Sequence, residues 1–391
     1  MPKKSKTKKG KTDVSFVKPK GPVKEELLTN KIIAKRINTI AESMVKEINK
    51  DLDPTFTTKI RGLNNVWYNE KEGYLELGDK TSQRHFLNVA HARKFMQTTI
   101  VMDKTSDYLT QNKTANIREI YYELKHTIKD TKENTFEDQT ESDGVLVDLE
   151  HSVDTIREKL NLKANPKGAL YGDITLVDKA HHNDTFNCRK LGRGGWKIMS
   201  RIEPDEITIK SVDADFLLVV ETAAMYERLI EEDFARKNRA ILIASEGQAA
   251  RGTRRLIHRI HMEKKLPVIV FTDGDPYGWY IYSTIKYGSM ALAAHSKFLA
   301  VPGARFVGMT LNDIEDYGLE KVTERMKEGD IKRAKEMMDY SWFKNKEWQA
   351  QLKLALSKKL RIEQQALANK SLDFVAKEYL PQKIKEKNFL P

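Results

Sequence analysis

The chain has 391 residues, of which 32% are charged and 40% hydrophobic, and it carries a formal net charge of +12. That length predicts two or three domains with substantial cores, and no apolar run approaches the roughly 18–20 residues of a membrane span, which excludes a membrane-spanning helix. A single cysteine, Cys188, excludes an internal disulfide and a thiolate zinc site and fits a reducing, cytoplasmic interior.

Residues 1–23 hold eight lysines against one acid, Asp13. No apolar segment follows them, so they do not read as a secretory signal. The composition predicts a disordered basic tail that either attracts nucleic acid or keeps the chain soluble.

From Lys24 to about Lys50 the chain reads as a helix, with Leu28, Ile32, Ile33, Ile37, Ile40 and Met44 on one face. Asn65-Val-Trp-Tyr68 and Tyr74-Leu-Glu-Leu77, either side of a polar turn, predict a short hairpin. Helices are expected over roughly 84–98, 102–111 and 116–129. A polar stretch from Thr131 to Asp143 comes next, then the apolar Val145–Leu149 leading into a helix over 151–160. Short helices with a hairpin nearby resemble a helix-turn-helix or winged-helix module. Residues 161–210 are expected to be an irregular linker. Within them, Leu191-Gly-Arg-Gly-Gly-Trp-Lys197 lacks the register of a dinucleotide-binding loop, and no P-loop ATPase motif occurs in the chain.

From about 212 the pattern alternates. Strands at 216–220, 240–244, 267–271 and 305–309 are separated by helices at 223–236, 252–265 and 279–294. This predicts an α/β domain with a doubly wound parallel sheet, and beyond 319 the chain reads as helical with Trp342 and Trp348 packing it down.

Two apolar strands end in acids. Phe216-Leu-Leu-Val-Val220 is followed by Glu221, and Val268-Ile-Val-Phe271 by Asp273 and Asp275. In open α/β sheets the C-terminal rim of the strands is where ligands bind. Three carboxylates converging there repel one another unless a cation joins them, and hard oxygen donors suit Mg²⁺. The competing account makes Asp-Gly-Asp-Pro turn chemistry and Glu221 a neighbour of a helix cap. Glu246, at the end of the middle strand, has no assigned place.

A glutamate after one hydrophobic strand and Asp-x-Asp after another resemble the Toprim fold of topoisomerases, bacterial-type primases and some nucleases. A second motif narrows the choice. In Arg118-Glu-Ile-Tyr-Tyr-Glu-Leu-Lys125, helical spacing puts Ile117, Ile120, Tyr121, Leu124 and Ile128 on one stripe. Tyr122 faces away, with Arg118, Lys125 and His126 one turn from it. A phenol of pKa about 10 is roughly 4 kcal/mol short of ionisation at neutral pH, and a neighbouring guanidinium reduces that deficit while gripping a phosphate.

Together the blocks resemble the family of the DNA-cleaving A-type chains of type IIB DNA topoisomerase, topoisomerase VI, and its relative the meiotic double-strand-break transesterase. The blocks are Arg118-Glu-Ile-Tyr-Tyr122, Phe216 to Leu229 and Thr272 to Tyr280. The resemblance runs from about residue 24 to 385. It implies a winged-helix (CAP-like) domain over 24–160 and a Toprim domain with a C-terminal helical extension over 211–391. It further implies Tyr122 as nucleophile, Arg118 as its electrostatic aid, and Glu221, Asp273 and Asp275 as Mg²⁺ ligands. The implied partners are double-stranded DNA, a second copy of the chain, and a B subunit with a Bergerat-type ATPase that binds the ATP, in an A₂B₂ heterotetramer. Two alternatives remain: a stand-alone recombination-initiating break-maker, and a Toprim nuclease or primase.

Overall fold

The computed structural model describes residues 29–180 and 182–391. The expected basic tail over 1–23 lies outside the described residues, as do the first residues of the expected N-terminal helix.

Two hydrophobic cores organise the chain. The smaller is built around α1 (Asn30–Ile48), which starts at the cap Thr29 and turns Ile33, Ile37 and Met44 inward, while Ile32 stays exposed. Strand β1 (Thr55–Lys59) follows, then the hairpin of β2 (Val66–Asn69) and β3 (Tyr74–Leu77), and then β4 (Thr81–His85), which pairs antiparallel with β1. One continuous helix, α2 (Val89–Thr110), capped by Asn88, replaces the two helices expected over 84–111. A two-residue strand β5 (Ala115–Asn116) leads into α3 (Ile117–Leu124).

Helix α3 is far shorter than the expected 116–129. Lys125 turns to extended geometry (φ −78°, ψ 113°), and residues 126–135 fold back as a turn in which Thr135 Oγ1 accepts the His126 N–H. Helix α4 (Gln139–Ser152), capped by Asp138, takes in the polar stretch and the apolar Val145–Leu149 segment together; the helix expected at 151–160 is reduced to a 3-10 turn, Arg157–Leu160. The two-residue strand β6 (Leu162–Lys163) pairs parallel with β5. Phe56, Val101, Tyr121, Phe136 and Leu149 share this first core.

The hairpin belongs to the other core. Leu75 is buried there and Tyr68 meets Tyr287 edge-on, with ring centroids 5.5 Å apart. The β2–β3 hairpin is therefore not an arm of the helical unit but a contact between the two halves.

Residues 161–210, expected to be irregular, are largely strands: β7 (Ala169–Tyr171), β8 (Ile174–Asp178), β9 (Asp184–Asn187), β10 (Trp196–Lys197) and β11 (Ile207–Val212). They are short and half-polar, so neither a long apolar run nor clean alternation marks them. Strands β11, β8 and β9 form a three-stranded antiparallel sheet. Strands β7 and β10 extend the main sheet as an antiparallel edge. The glycines of Leu191–Lys197 serve packing: Gly195 has φ +66°, and a Cβ there would lie 2.3 Å from the Tyr226 hydroxyl.

The main sheet has the order β10-β7-β13-β12-β14-β15. Its parallel strands are β12 (Phe216–Val220), β13 (Ala240–Ala244), β14 (Val268–Phe271) and β15 (Arg305–Gly308). Strands β12, β13 and β14 are buried at every position, the unbroken pattern of strands covered on both faces. The connecting helices are α5 (Ala223–Glu231) with the short α6 (Phe234–Lys237), α7 (Arg251–Lys264), α8 (Pro276–Tyr287) and the short α9 (Ser296–Leu299).

Helix α7 reads basic, yet its arginines are structural. Arg255 pairs with Glu203 at 2.8 Å, and Arg259 donates to the carbonyls of Ile202 and Ile207. The C-terminal region adds α10 (Asn312–Asp316), β16 (Glu324–Arg325), α11 (Glu328–Asp339), α12 (Lys346–Lys358), β17 (Leu360–Arg361) and α13 (Leu380–Glu386). Trp348 anchors it, fully buried within 6 Å of the rings of Trp279, Tyr282, Phe306 and Phe343.

The two cores meet across a buried ionic junction. Arg251, from α7, pairs with Glu150 at 2.9 Å and Glu158 at 3.0 Å, and His295 lies 3.1 Å from Glu150. Burial alone would raise the Glu150 carboxyl, but Arg251 and His295 pull it down to about 2. Removing one member of such a cluster strands the others without compensation. Glu150→Gln is therefore expected to cost about 3–5 kcal/mol, read as a lower urea midpoint with unchanged secondary structure by circular dichroism.

Candidate active site

Helix α3 opens with a reciprocal cap. The Asn116 side chain accepts the Arg118 N–H at 2.9 Å, and Glu119 reaches back to the Asn116 N–H at 2.6 Å. This fixes the helix start and hence which tyrosine faces inward. Tyr121 is 7% exposed and donates its hydroxyl to the Glu137 carbonyl at 3.2 Å. Tyr122 is 60% exposed, with the Arg118 guanidinium 5.9 Å from its ring centre. The inward and outward faces are those expected from spacing.

Lys125 departs from expectation. Because α3 ends at Leu124, Lys125 turns to the Tyr121 hydroxyl and donates to it at 3.0 Å, keeping only a weaker electrostatic interaction with Tyr122. His126 likewise leaves the helix, and Arg118 alone of the three basic neighbours keeps its ring contact with Tyr122.

The acids lie at the C-terminal ends of β12 and β14, which pair in parallel with Val220 opposite Phe271. The Glu221 N–H continues this ladder to the Phe271 carbonyl at 3.1 Å. Glu221 Oε2 accepts the Asp273 N–H at 2.9 Å, so the first acid and the backbone of the second are joined directly. Asp273 Oδ1 accepts the Gln364 N–H at 2.8 Å, and Asp275 Oδ1 accepts the Gly278 N–H at 2.8 Å. Asp275 thus caps α8, as the turn-chemistry account expects, while its other oxygen lies 3.7 Å from Arg361.

Each acid has one oxygen held by a backbone amide. Among the described residues no three acidic, histidine or cysteine side chains already close into a metal cage. The acids are nevertheless close enough for Glu221 to feel the charges of Asp273 and Asp275. Burial, then the neighbouring Asp273, pushes Glu221 up to about 8; burial, then Asp275 and Glu363, pushes Asp273 up to about 6. Burial raises Asp275 as well. Such carboxylates resist sharing negative charge, and a divalent cation is the partner that removes the conflict. On donor set and charge the three acids fit Mg²⁺.

Sequence reasoning missed the C-terminal segment that crosses this site. Gly274 and Ile362 exchange backbone hydrogen bonds of 2.7 and 3.3 Å. A Cβ on Gly274 would sit 2.6 Å from Ile362 Cγ2 and 3.2 Å from Met309 Cβ. Gly274→Ala is expected to destabilise the fold by about 1–3 kcal/mol through this overpacking, measured as a shift in urea midpoint with unchanged slope. Glu246 pairs with Lys197 at 2.8 Å, and the N–H of the next residue, Gly247, donates to the Glu221 carbonyl at 2.9 Å.

Comparison with known proteins supplies the lineage. Residues 216–384 match the family model for the Toprim domain shared by Spo11 and the A-type chain of topoisomerase 6, and residues 93–162 match that of type IIB DNA topoisomerase. The chain is 52% identical over 369 residues to the A-type chain of type 2 DNA topoisomerase 6 from Pyrococcus abyssi, covering 92% of this chain and 95% of that protein. The chain belongs to the family of type IIB DNA topoisomerase A-type chains. Its counterpart in Pyrococcus horikoshii is 51% identical over the same coverage. That of Methanocaldococcus jannaschii is 37% identical over 368 residues, or 92% of this chain and 96% of that protein. Family membership makes the second half of the chain a Toprim domain, on a mixed sheet with a parallel centre. No helix among the described residues is long and apolar enough to cross a membrane.

Proposed function

We propose that this chain cleaves and rejoins double-stranded DNA through a transient 5′-phosphotyrosyl bond formed by Tyr122. The observation that carries this reading is the split fate of the tyrosine pair: Tyr121 is packed and hydrogen-bonded, while Tyr122 is exposed beside a guanidinium. The Tyr122 hydroxyl oxygen attacks a backbone phosphorus as its proton departs. The bond to the 3′-oxygen breaks, and that oxygen leaves as a free 3′-hydroxyl. Arg118 offsets charge on the phosphate and on the developing phenolate. The phosphotyrosyl link conserves the phosphodiester's energy, so the 3′-hydroxyl reverses the step without ATP.

Glu221, Asp273 and Asp275 would hold Mg²⁺, which when bound supplies positive charge against the DNA phosphates. The helical unit that carries Tyr122 is read as a winged-helix, CAP-like domain, with β1 and β4 as its small sheet. No hydrogen bond or ion pair among the described residues joins Arg118 or Tyr122 to the three acids. The resemblance to the family carries the reading of a site completed between two copies, tyrosine from one protomer and acids from its partner. Two tyrosines in a dimer account for a double-strand break. ATP-driven strand passage would come from a separate ATPase B subunit in an A₂B₂ assembly, acting on DNA in the cytoplasm.

The reading is tested with purified chain and its ATPase partner on supercoiled plasmid with Mg²⁺ and ATP, quenched with detergent. Linear DNA with protein on both 5′ ends is expected. Nicked or linear DNA without attached protein would replace the transesterase by a hydrolytic nuclease.

A further inference from the structure

We propose that Gln364 is a positioning residue for the acid site, setting Glu221 and Asp273 in register to receive one ion. The proposal rests on the reading of those acids as an ion site. Gln364 is wholly buried, where an unpaired amide would be costly, and each of its polar contacts goes to a group beside the acids. Its Nε2 donates to the Phe271 carbonyl at 2.9 Å, the same carbonyl that accepts the Glu221 N–H at 3.1 Å. Its own N–H donates to Asp273 Oδ1 at 2.8 Å. Its Oε1 faces Thr222 Oγ1 at 3.5 Å, and Gln365 Nε2 reaches that hydroxyl at 3.0 Å.

One residue therefore touches the end of β14, the carboxylate of Asp273 and the turn behind Glu221. The Ile362–Gly274 backbone pair holds its segment in place on the Asp-Gly-Asp loop. An apolar side chain of the same size would fill the volume, but it would leave the Phe271 carbonyl without its second donor and free the backbone at 364 to drift from Asp273. The expected consequence is a misplaced acid pair and weaker ion binding, with the fold retained.

The test is a titration of the full-length chain with Mn²⁺, a paramagnetic stand-in for Mg²⁺, followed by electron paramagnetic resonance. Alongside it, metal-free melting is measured in chelator. Gln364→Met is expected to raise the Mn²⁺ dissociation constant at least tenfold with metal-free melting within a few degrees of wild type. Gln364→Asn, too short to reach Phe271, should do the same, and in both variants excess Mg²⁺ should restore DNA cleavage. Wild-type affinity in both variants overturns the proposal, as does failure of both to fold, which would make Gln364 a core residue only. Asp273→Asn separates the two readings. If wild type and Asp273→Asn bind Mn²⁺ equally, the acid site itself is refuted; if Asp273→Asn loses the ion while Gln364→Met keeps it, only the positioning role falls.

Discussion

Tyr122→Phe is expected to abolish covalent protein–DNA adducts, while Tyr121→Phe should leave them at a substantial fraction of the wild-type yield. The two substitutions each remove one hydroxyl from adjacent residues of one short helix, so the contrast isolates orientation. Tyr122 presents an exposed ring beside Arg118, whereas the Tyr121 hydroxyl is spent on the Glu137 carbonyl and Lys125. Deleting an attacking group removes the covalent pathway, so the loss is expected to be roughly 10⁴-fold or more, equivalent to about 5.5 kcal/mol in the barrier. Tyr121→Phe gives up buried hydrogen bonds and is expected to cost about 1 kcal/mol of stability. The measurement is adduct yield after detergent quench, paired with thermal melting. Adducts that survive in Tyr122→Phe and vanish in Tyr121→Phe would reverse the assignment and show that α3 rotates on binding DNA. Arg118→Ala, which keeps the nucleophile and removes its cation, is expected to reduce cleavage less, by about 10²-fold.

The parts of this molecule that were legible in advance are those with a local signature. Strands β12 and β13 begin and end where their apolar runs do, because a strand buried on both faces has no polar position to blur its ends. The acids stand out because Glu221 follows one apolar run directly, and Asp273 and Asp275 come two and four residues after another. The face of Tyr122 was legible because one turn of helix decides it.

What was hidden depends on partners distant in the chain. Helix α3 stops at Leu124 because residues 126–135 close a turn against Thr135, which a helical periodicity reaching to Ile128 does not reveal. The β2–β3 hairpin was recognisable as a hairpin, but its attachment depends on Leu75 and Tyr68 finding the Toprim core. The segment over the acids is set by Ile362 pairing with Gly274 and by Gln364 reaching Phe271 and Asp273, contacts about ninety residues apart. Nothing in the local composition of residues 360–365 announces them.

The acid site carries the other large expectation, in which stability and function oppose each other. Without a divalent ion, Glu221 should contribute a loss of stability as pH rises from about 5 to about 8. This is set against the gain up to about pH 6.5 from His151 and His258, which burial holds down to about 4. The sign follows from proton binding: an unfolded glutamate releases its proton near 4.5, whereas folded Glu221 holds it to about 8, because burial and then Asp273 penalise its charge. Below the lower value both states are protonated and no difference exists. Between the two the folded state binds more protons, so each rise in pH favours unfolding until Glu221 ionises in both states. Asp273 adds the same trend over a narrower range, from 3.8 to about 6.

The penalty at pH 8 is on the order of a few kcal/mol, since each tenfold change in a proton equilibrium is worth about 1.4 kcal/mol. Mg²⁺ would bind the ionised acids, so it should flatten this slope and stabilise most at pH 8. Glu221→Gln tests the account from both sides. It should remove the Glu221 share of the pH dependence and raise metal-free melting at pH 8 above wild type, yet lower cleavage by roughly 10³-fold because a needed carboxylate is gone. Melting in chelator and in Mg²⁺ at pH 5, 6.5 and 8, beside adduct yields, reads both effects. An identical pH slope in wild type and Glu221→Gln would remove Glu221 from the strained group, and unchanged cleavage would remove it from the site. The gain in stability with the loss of cleavage is the expected mark of acids crowded for an ion.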